Sequence, residues 1–294
     1  MNLRTWMDDS RIKSKRLPEI CIPGSHNSAA SRFYGRVVFS NFVHCNNLSV
    51  TEQLEICGCR FIDIRVSDGT SDNICVSHRF IVVDSVSTIL SEICGFLQRF
   101  PSEVVIISVS KDYDRDFTRH HNLYQMMSTI FGDLMPKLCS DRLLNKTVGE
   151  LVQINQRLVI IGDVFKNGCS FQCSDDGMDN SWYSCHNSDV DQLFSNIEQK
   201  WVNVGAPIDS IHRQRLNSTG LATTKDVKTI IKDVLKIFAF QFDAGLESDG
   251  EKCKKLLCDK MNNEWKSRQL NLVSVDYIDA HVGSIIVAHN FTQT

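Results

Sequence analysis

The stretch CIPGSHNSAA (residues 21–30) runs from apolar residues through Pro23 and Gly24 into a histidine and an asparagine, His26 and Asn27. A short apolar run that ends in chemically active side chains is what a barrel strand presents where its C-terminal end opens on a site. The Pro-Gly pair reads as a tight turn, with Gly24 freeing the backbone to aim His26 away from the strand.

Working outward, further strand candidates are RFIDIRV (60–66), ICVSH (74–78), EVVIISVS (103–110), RLVIIGD (157–163) and LNLVSVDYI (270–278), with weak ones near Trp182 and over 211–218. The first of the set is EICIPG (19–24). Helical spacing fills stretches between them, including VSTILSEICGFLQRF (86–100), DVDQLFSNIEQKW (189–201) and VKTIIKDVLKIFAF (227–240). Eight strand candidates separated by helices predict an α/β fold, a parallel (β/α)8 barrel, rather than an open sheet. No repeat, low-complexity tract or linker divides the chain, so one domain over residues 1–294 is expected.

In such barrels chemistry gathers at the C-terminal strand ends. His26 follows the first strand, Asp63 and Arg65 end the second, His78 ends the third, and Asp276 ends the last. First and last strands of a closed barrel are neighbours, which brings Asp276 toward His26. Two histidines, a carboxylate and an arginine suit phosphoryl transfer. One imidazole, held by the carboxylate, takes a proton from an attacking hydroxyl while the other gives one to the leaving oxygen. The guanidinium fork neutralises charge growing on the phosphate oxygens, and no metal is required. His44, His120, His121, His212, His281 and His289 have no such placement and read as surface or packing residues.

Composition narrows the alternatives. A net charge of -3 and a pI near 6.3 lack the basic excess of a nucleic-acid binder. The polar N-terminal stretch MNLRTWMDDSRIKSKRLPE lacks the apolar core of a secretory signal, and no apolar run reaches bilayer length, so a cytoplasmic protein that at most touches a membrane surface is expected. Twelve cysteines in such a chain read as thiols, with Cys21, Cys75 and Cys94 acting as small core hydrophobes. Cys169, Cys173, Cys185 and His186 fit no common zinc spacing. The sequons at Asn47, Asn145, Asn217 and Asn290 read as chance, and the basic run Arg11 to Arg16 as a solvated face, with contact to anionic lipid as the alternative.

Taken in order and spacing, IPGSHNS, QLEICGCRFIDIRV, VSHRF, FPSEVVIISV and LNLVSVDYI resemble the X domain of phosphatidylinositol-specific phospholipase C, most nearly the small X-domain-containing proteins and the bacterial enzymes. The resemblance is sharpest over the first 110 residues and the last 25. It implies a distorted TIM barrel that cleaves phosphatidylinositol to diacylglycerol and inositol 1,2-cyclic phosphate. It further implies His26 as general base, Asp276 as the carboxylate orienting it, His78 as general acid, Arg65 as the phosphate-binding arginine and Asp63 as its acidic neighbour. The implied partner is a phosphatidylinositol lipid at a membrane surface, met by a monomer.

Several positions depart from the family pattern. Asn27 stands where the bacterial type carries Asp, and where the calcium-dependent eukaryotic type carries an Asn ligand. The eukaryotic ligand set is otherwise broken by Arg65 and by Ser110, so no calcium and no other cofactor is expected. For the headgroup, Lys111 is offset from the expected lysine, Asp163 replaces an expected base, and Trp182, Tyr183 and Asn187 are candidate contacts. In RFYGRVVFSNF, the residues Phe33, Tyr34, Val37, Val38 and Phe39 suit either the lipid interface or packing of the first helix. A non-catalytic phosphoinositide-binding scaffold is the alternative function. A glycerophosphodiester-type enzyme ranks last, because neither of the HRG and ENT motifs it resembles occurs.

Overall fold

The computed structural model describes residues 1–31, 44–69, 73–78, 81–112, 116–137, 140–162, 164, 178–185, 189–204, 216–223 and 246–292. Its strands are β1 (Ile22–Ser25), β2 (Phe61–Asp68), β3 (Ile74–His78), β4 (Ile81–Ser85), β5 (Val105–Lys111), β6 (Leu158–Ile161), β7 (Met178–Cys185), β8 (Leu216–Thr223) and β9 (Leu272–Val275). Its helices are α1 (Ser10–Lys13), α2 (Val50–Glu55), α3 (Val86–Arg99), α4 (His120–Phe131), α5 (Ser140–Leu144), α6 (Val148–Gln153), α7 (Val190–Val204), α8 (Leu246–Asn262) and α9 (Ala280–His289).

Seven strands pair in parallel in the order β6-β5-β2-β1-β9-β8-β7, curling into a barrel wall. Among the described residues no ladder joins β6 to β7, so the ring is open there and the barrel is distorted. The expectation of eight parallel strands is corrected at ICVSH. β3 pairs antiparallel with β2 (Val66↔Val76, Asp68↔Ile74) and continues antiparallel into β4, which the sequence reading did not anticipate. Only residues 69–73 separate β2 from β3, too few for the dozen or more that a parallel crossover needs. β2 therefore outruns the barrel and the chain turns straight back along it. Boundaries shift elsewhere. Leu17–Glu19 is a 3-10 turn, so the first strand starts at Ile22, and the weak strand over 211–218 is observed at Leu216–Thr223. The helical pattern over 227–240 lies outside the described residues.

Period-two alternation sorts each strand between two environments. On β2, Ile62, Ile64 and Val66 face outward into a core shared with Ile89, Ile93 and Phe96 of α3, with Leu193 and Ile197 of α7 and with Leu257 of α8. Phe61, Asp63 and Arg65 take the opposite face, toward the barrel interior. β5 divides in the same way, with Val105, Ile107 and Val109 outward and Ile106, Ser108 and Ser110 inward.

The interior is graded along the barrel axis. Ile22, Phe61, Ile106, Val159, Leu216 and Leu272, near the strand beginnings, form an apolar floor closed from below by Trp6, Met7, Ile12 and Leu17. Above the floor come Gly24, Asp63, Ser108, Ser218 and Ser274, and the strand ends carry the polar residues of the mouth. The N-terminal segment thus plugs the end opposite the mouth. Its charges are paired locally, Arg11 with Asp9, Lys13 with Asp8 and Arg16 with Glu19.

One buried ion pair fastens that plug. Arg60 donates to the Glu103 carboxylate from Nε (2.8 Å) and Nη2 (2.7 Å), and to the carbonyls of Leu54, Cys59, Leu3 and Arg4. Its guanidinium lies 4.5 Å from the Phe96 ring centroid. Two of the four sequons serve structure as well. Asn217 is buried in β8, and Asn290 brackets the Cys21 backbone, accepting from its N–H at 2.7 Å and donating to its carbonyl at 2.8 Å. No helix among the described residues is long and apolar enough to cross a membrane.

Candidate active site

β1 and β9 are hydrogen-bonded neighbours with Ser25 opposite Val275, so the next residue of each chain, His26 and Asp276, meets its counterpart at the mouth. His26 Nδ1 lies 2.8 Å from Asp276 Oδ1. Facing a carboxylate, Nδ1 carries the proton, and Nε2 accepts from the Asn27 side-chain amide at 2.9 Å. The expectation that Gly24 makes a turn here is corrected. Gly24 lies within β1, and its missing side chain makes room for Phe61, whose Cδ1 would be 2.6 Å from an added Cβ. The residue that takes the left-handed backbone is Asn27, with φ of 40°. Asparagine tolerates that region better than most residues, which gives one local reason for an amide side chain at this position.

Asp63 anchors the loop from below. Its carboxylate accepts from the Asn27 backbone N–H at 3.2 Å and from Arg65 at Nε (3.0 Å to Oδ1) and Nη2 (3.1 Å to Oδ2). Its backbone N–H donates to Ser28 Oγ at 2.9 Å. Burial alone would raise the Asp63 pKa, but the charges of Arg65 and His26 and the hydrogen bonds from Arg65 and Asn27 hold it below the ordinary carboxylate value. Arg65 and Asp63 are therefore both an ion pair and members of the mouth, with Arg65 partly exposed and Asp63 buried.

His78 reaches the same place by the hairpin rather than by a barrel strand. The antiparallel return brings β3 back along β2, and the His26 and His78 rings stand edge to face with centroids 6.3 Å apart. His78 Nδ1 lies 3.6 Å from the buried Cys45 thiol. Lys111 ends β5 opposite Val66, exposed at the rim. The backbone of Trp182 and Tyr183 belongs to β7, opposite Gly220 and Leu221 of β8, while their side chains lie outside the described residues. Asp163, Asn187, Phe33, Tyr34, Val37, Val38, Phe39, Cys169, Cys173 and His186 lie outside them too, as does the Cys185 side chain.

Four supporting residues escaped the sequence reading. Gln53 of α2 donates to the carbonyls of Ser28 (2.8 Å) and Leu48 (2.7 Å) and accepts from Ser25 Oγ. Asn46 donates to the carbonyls of His26 (3.0 Å) and Asn27 (3.3 Å). Tyr277 sits at φ 52°, a strained conformation for a bulky residue, held by its N–H on the Cys45 carbonyl (2.6 Å) and its hydroxyl on the His44 carbonyl. Cys45 itself is 1% exposed, and burial together with Asp276 pushes its thiol pKa well above the ordinary value. Only the adjacency of Tyr277 to Asp276 offered a signal. The others become visible when the segment around residue 45 folds back between the residues that follow β1 and those that follow β9, bonding to Ala30 and Tyr277.

Residues 21–163 match the family model "Phosphatidylinositol-specific phospholipase C, X domain". The chain is 33% identical over 91 residues to the PI-PLC X domain-containing protein 1 of Mus musculus, covering 30% of this chain and 26% of that protein. It is 31% identical over 116 residues to the 1-phosphatidylinositol phosphodiesterase of Staphylococcus aureus (strain Newman), covering 39% of this chain and 35% of that one. These matches thus span about a quarter to a third of the curated relatives. In structure it is similar to phosphatidylinositol-specific phospholipase C from Staphylococcus aureus (TM-score 0.71, 16% identity, 100% of this chain and 98% of that one). It is likewise similar to the enzyme from Listeria monocytogenes (TM-score 0.69, 16% identity, 98% and 99%). Over residues 21–163 the chain therefore matches the X domain of phosphatidylinositol-specific phospholipase C, and its fold is a distorted TIM barrel.

Proposed function

We propose that this protein is a metal-independent phosphatidylinositol-specific phospholipase C, releasing diacylglycerol and inositol 1,2-cyclic phosphate at a membrane surface facing the cytoplasm. The observation that carries the reading is the His26–Asp276 contact of 2.8 Å with the His78 ring 6.3 Å across from it, and Arg65 held at the end of β2 by Asp63, whose carboxylate also accepts from the Asn27 backbone. The names of the relatives support the substrate class.

In this reading the inositol 2-hydroxyl displaces the Asn27 amide from His26 Nε2 and gives that nitrogen its proton as the oxygen bonds to phosphorus. Asp276 stabilises the resulting imidazolium and keeps the ring oriented. The phosphorus–glycerol oxygen bond breaks as protonated His78 delivers a proton to the leaving oxygen. Arg65 offsets the charge on the phosphate oxygens. A calcium ion fits this donor set poorly, because both Asp63 oxygens already accept hydrogen bonds and the nearest cation is a guanidinium.

Phosphorus NMR of phosphatidylinositol vesicles incubated with the protein in chelator tests the proposal. A cyclic phosphate signal that vanishes in His26→Ala supports it. Turnover that requires added calcium overturns the role given to Arg65, and no turnover on any phosphoinositide favours the binding scaffold.

A further inference from the structure

Cys45 has no part in the reaction just described, yet it is buried among the groups that do. Its Sγ lies 3.6 Å from His78 Nδ1 and 3.9 Å from Asn27 Nδ2. One ligand atom each from His26, Cys45 and Asp276 fall within 4.8 Å of one another. Bonds of about 2.0–2.3 Å to nitrogen, oxygen and sulfur in a tetrahedral zinc site place the ligand atoms about 3.3–3.8 Å apart. The widest pair of donors needs to close by at most about 1 Å to reach that spacing, and His78 Nδ1, 3.6 Å from the sulfur, is within reach as a fourth ligand. Sulfur with imidazole selects a soft or borderline cation over calcium or magnesium.

We infer that the barrel mouth is a binding site for a thiophilic divalent cation of the zinc or cadmium type, held by His26, Cys45 and Asp276 and completed by His78. On binding, the Cys45 S–H bond breaks and its proton leaves to solvent as the metal–sulfur bond forms. The imidazole lends a lone pair and the carboxylate an oxygen, with no change of oxidation state. A bound cation removes His26 from proton transfer and takes Asp276 from it, so the site is inhibitory. That last clause rests on the catalytic reading above, while the binding itself does not.

The test is a cadmium titration followed through the ultraviolet charge-transfer absorption of the cadmium–thiolate bond, comparing wild type with Cys45→Ser and Cys45→Ala. The expected result is one tight equivalent in wild type that both variants lose. Alongside, zinc inhibition of phosphatidylinositol cleavage should weaken at least about tenfold in each variant, measured against its own activity in chelator. Unchanged cadmium absorption or unchanged zinc sensitivity in the variants overturns the inference. Should neither variant fold, cadmium NMR of the wild-type protein decides. A shift typical of one thiolate with nitrogen and oxygen ligands supports the site, and a shift typical of several thiolates overturns it. If wild type cleaves no phosphoinositide, the catalytic reading fails while the cadmium signal still decides the site.

Discussion

At the scale of single residues, neighbours set the chemistry. His26 is a base in this reading because Asp276 fixes which nitrogen carries the proton. Replacing Asp276 by Asn is expected to lower kcat about 100-fold or more with little change in KM, since it removes support for the imidazolium and not a substrate contact. Replacing His26 or His78 by Ala should each cost about 10²–10⁴-fold, read in single-turnover assays on vesicles. His289 makes a separate point about stability. It is buried, 2.7 Å from the Arg268 carbonyl, and desolvation lowers its pKa from the ordinary value of 6.5. The unfolded chain therefore takes up a proton first as pH falls. Stability is full above about 6.5 and declines below it, toward the folded pKa. The drop in Tm between about pH 7.5 and about pH 5.5 should be smaller in His289→Gln than in wild type. An equal drop in both would assign the pH dependence to other groups.

Elements place those residues. β1 needs glycine at position 24 because Phe61 of the adjacent strand fills the space a side chain would take. Gly24→Ala is expected to cost about 1–3 kcal/mol through displacement of Phe61, read as a lower urea midpoint with an unchanged m-value. β2 does two jobs along one run of eight residues. Its first part is a barrel strand pairing with β1 and β5, and its last part, Val66–Asp68, is the base of a hairpin. That extension is what delivers His78 to the His26 ring.

For the molecule as a whole, the barrel is closed by packing at one end and left polar at the other. Trp6, Met7, Ile12 and Leu17 seal the floor, and Arg60 with Glu103 holds the N-terminal segment to β2 and the start of β5. Removing one partner of a buried pair strands the other charge, so Glu103→Ala should destabilise the fold by about 3–5 kcal/mol. Replacing both, as Arg60→Met with Glu103→Leu, should recover much of the loss in equilibrium unfolding. If the double variant were as unstable as the single one, the hydrogen bonds of Arg60 to the Leu3 and Arg4 carbonyls would be the larger contribution. The same polarity of the barrel sets the basic run Arg11 to Arg16 at the end away from the mouth, where its charges meet their own carboxylates.

The alternation of apolar runs with helical spacing determined the α/β barrel, and the motif residues at strand ends determined that His26, Asp63, Arg65 and Asp276 share one mouth, because period two and the C-terminal strand end are local rules. What the tertiary structure decided is everything that depends on chain returning from a distance. The antiparallel course of ICVSH was legible in the short gap of residues 69–73, yet its consequence, an imidazole carried on a hairpin, needed the register of β3 on β2. Gly24 read as a turn because glycine is permissive, and only the position of Phe61 gives the true cause. The thiol of Cys45 beside His78, Gln53 under the loop after β1 and the Arg60–Glu103 pair had no local signature, since each joins residues whose neighbourhood is set by packing rather than by sequence distance.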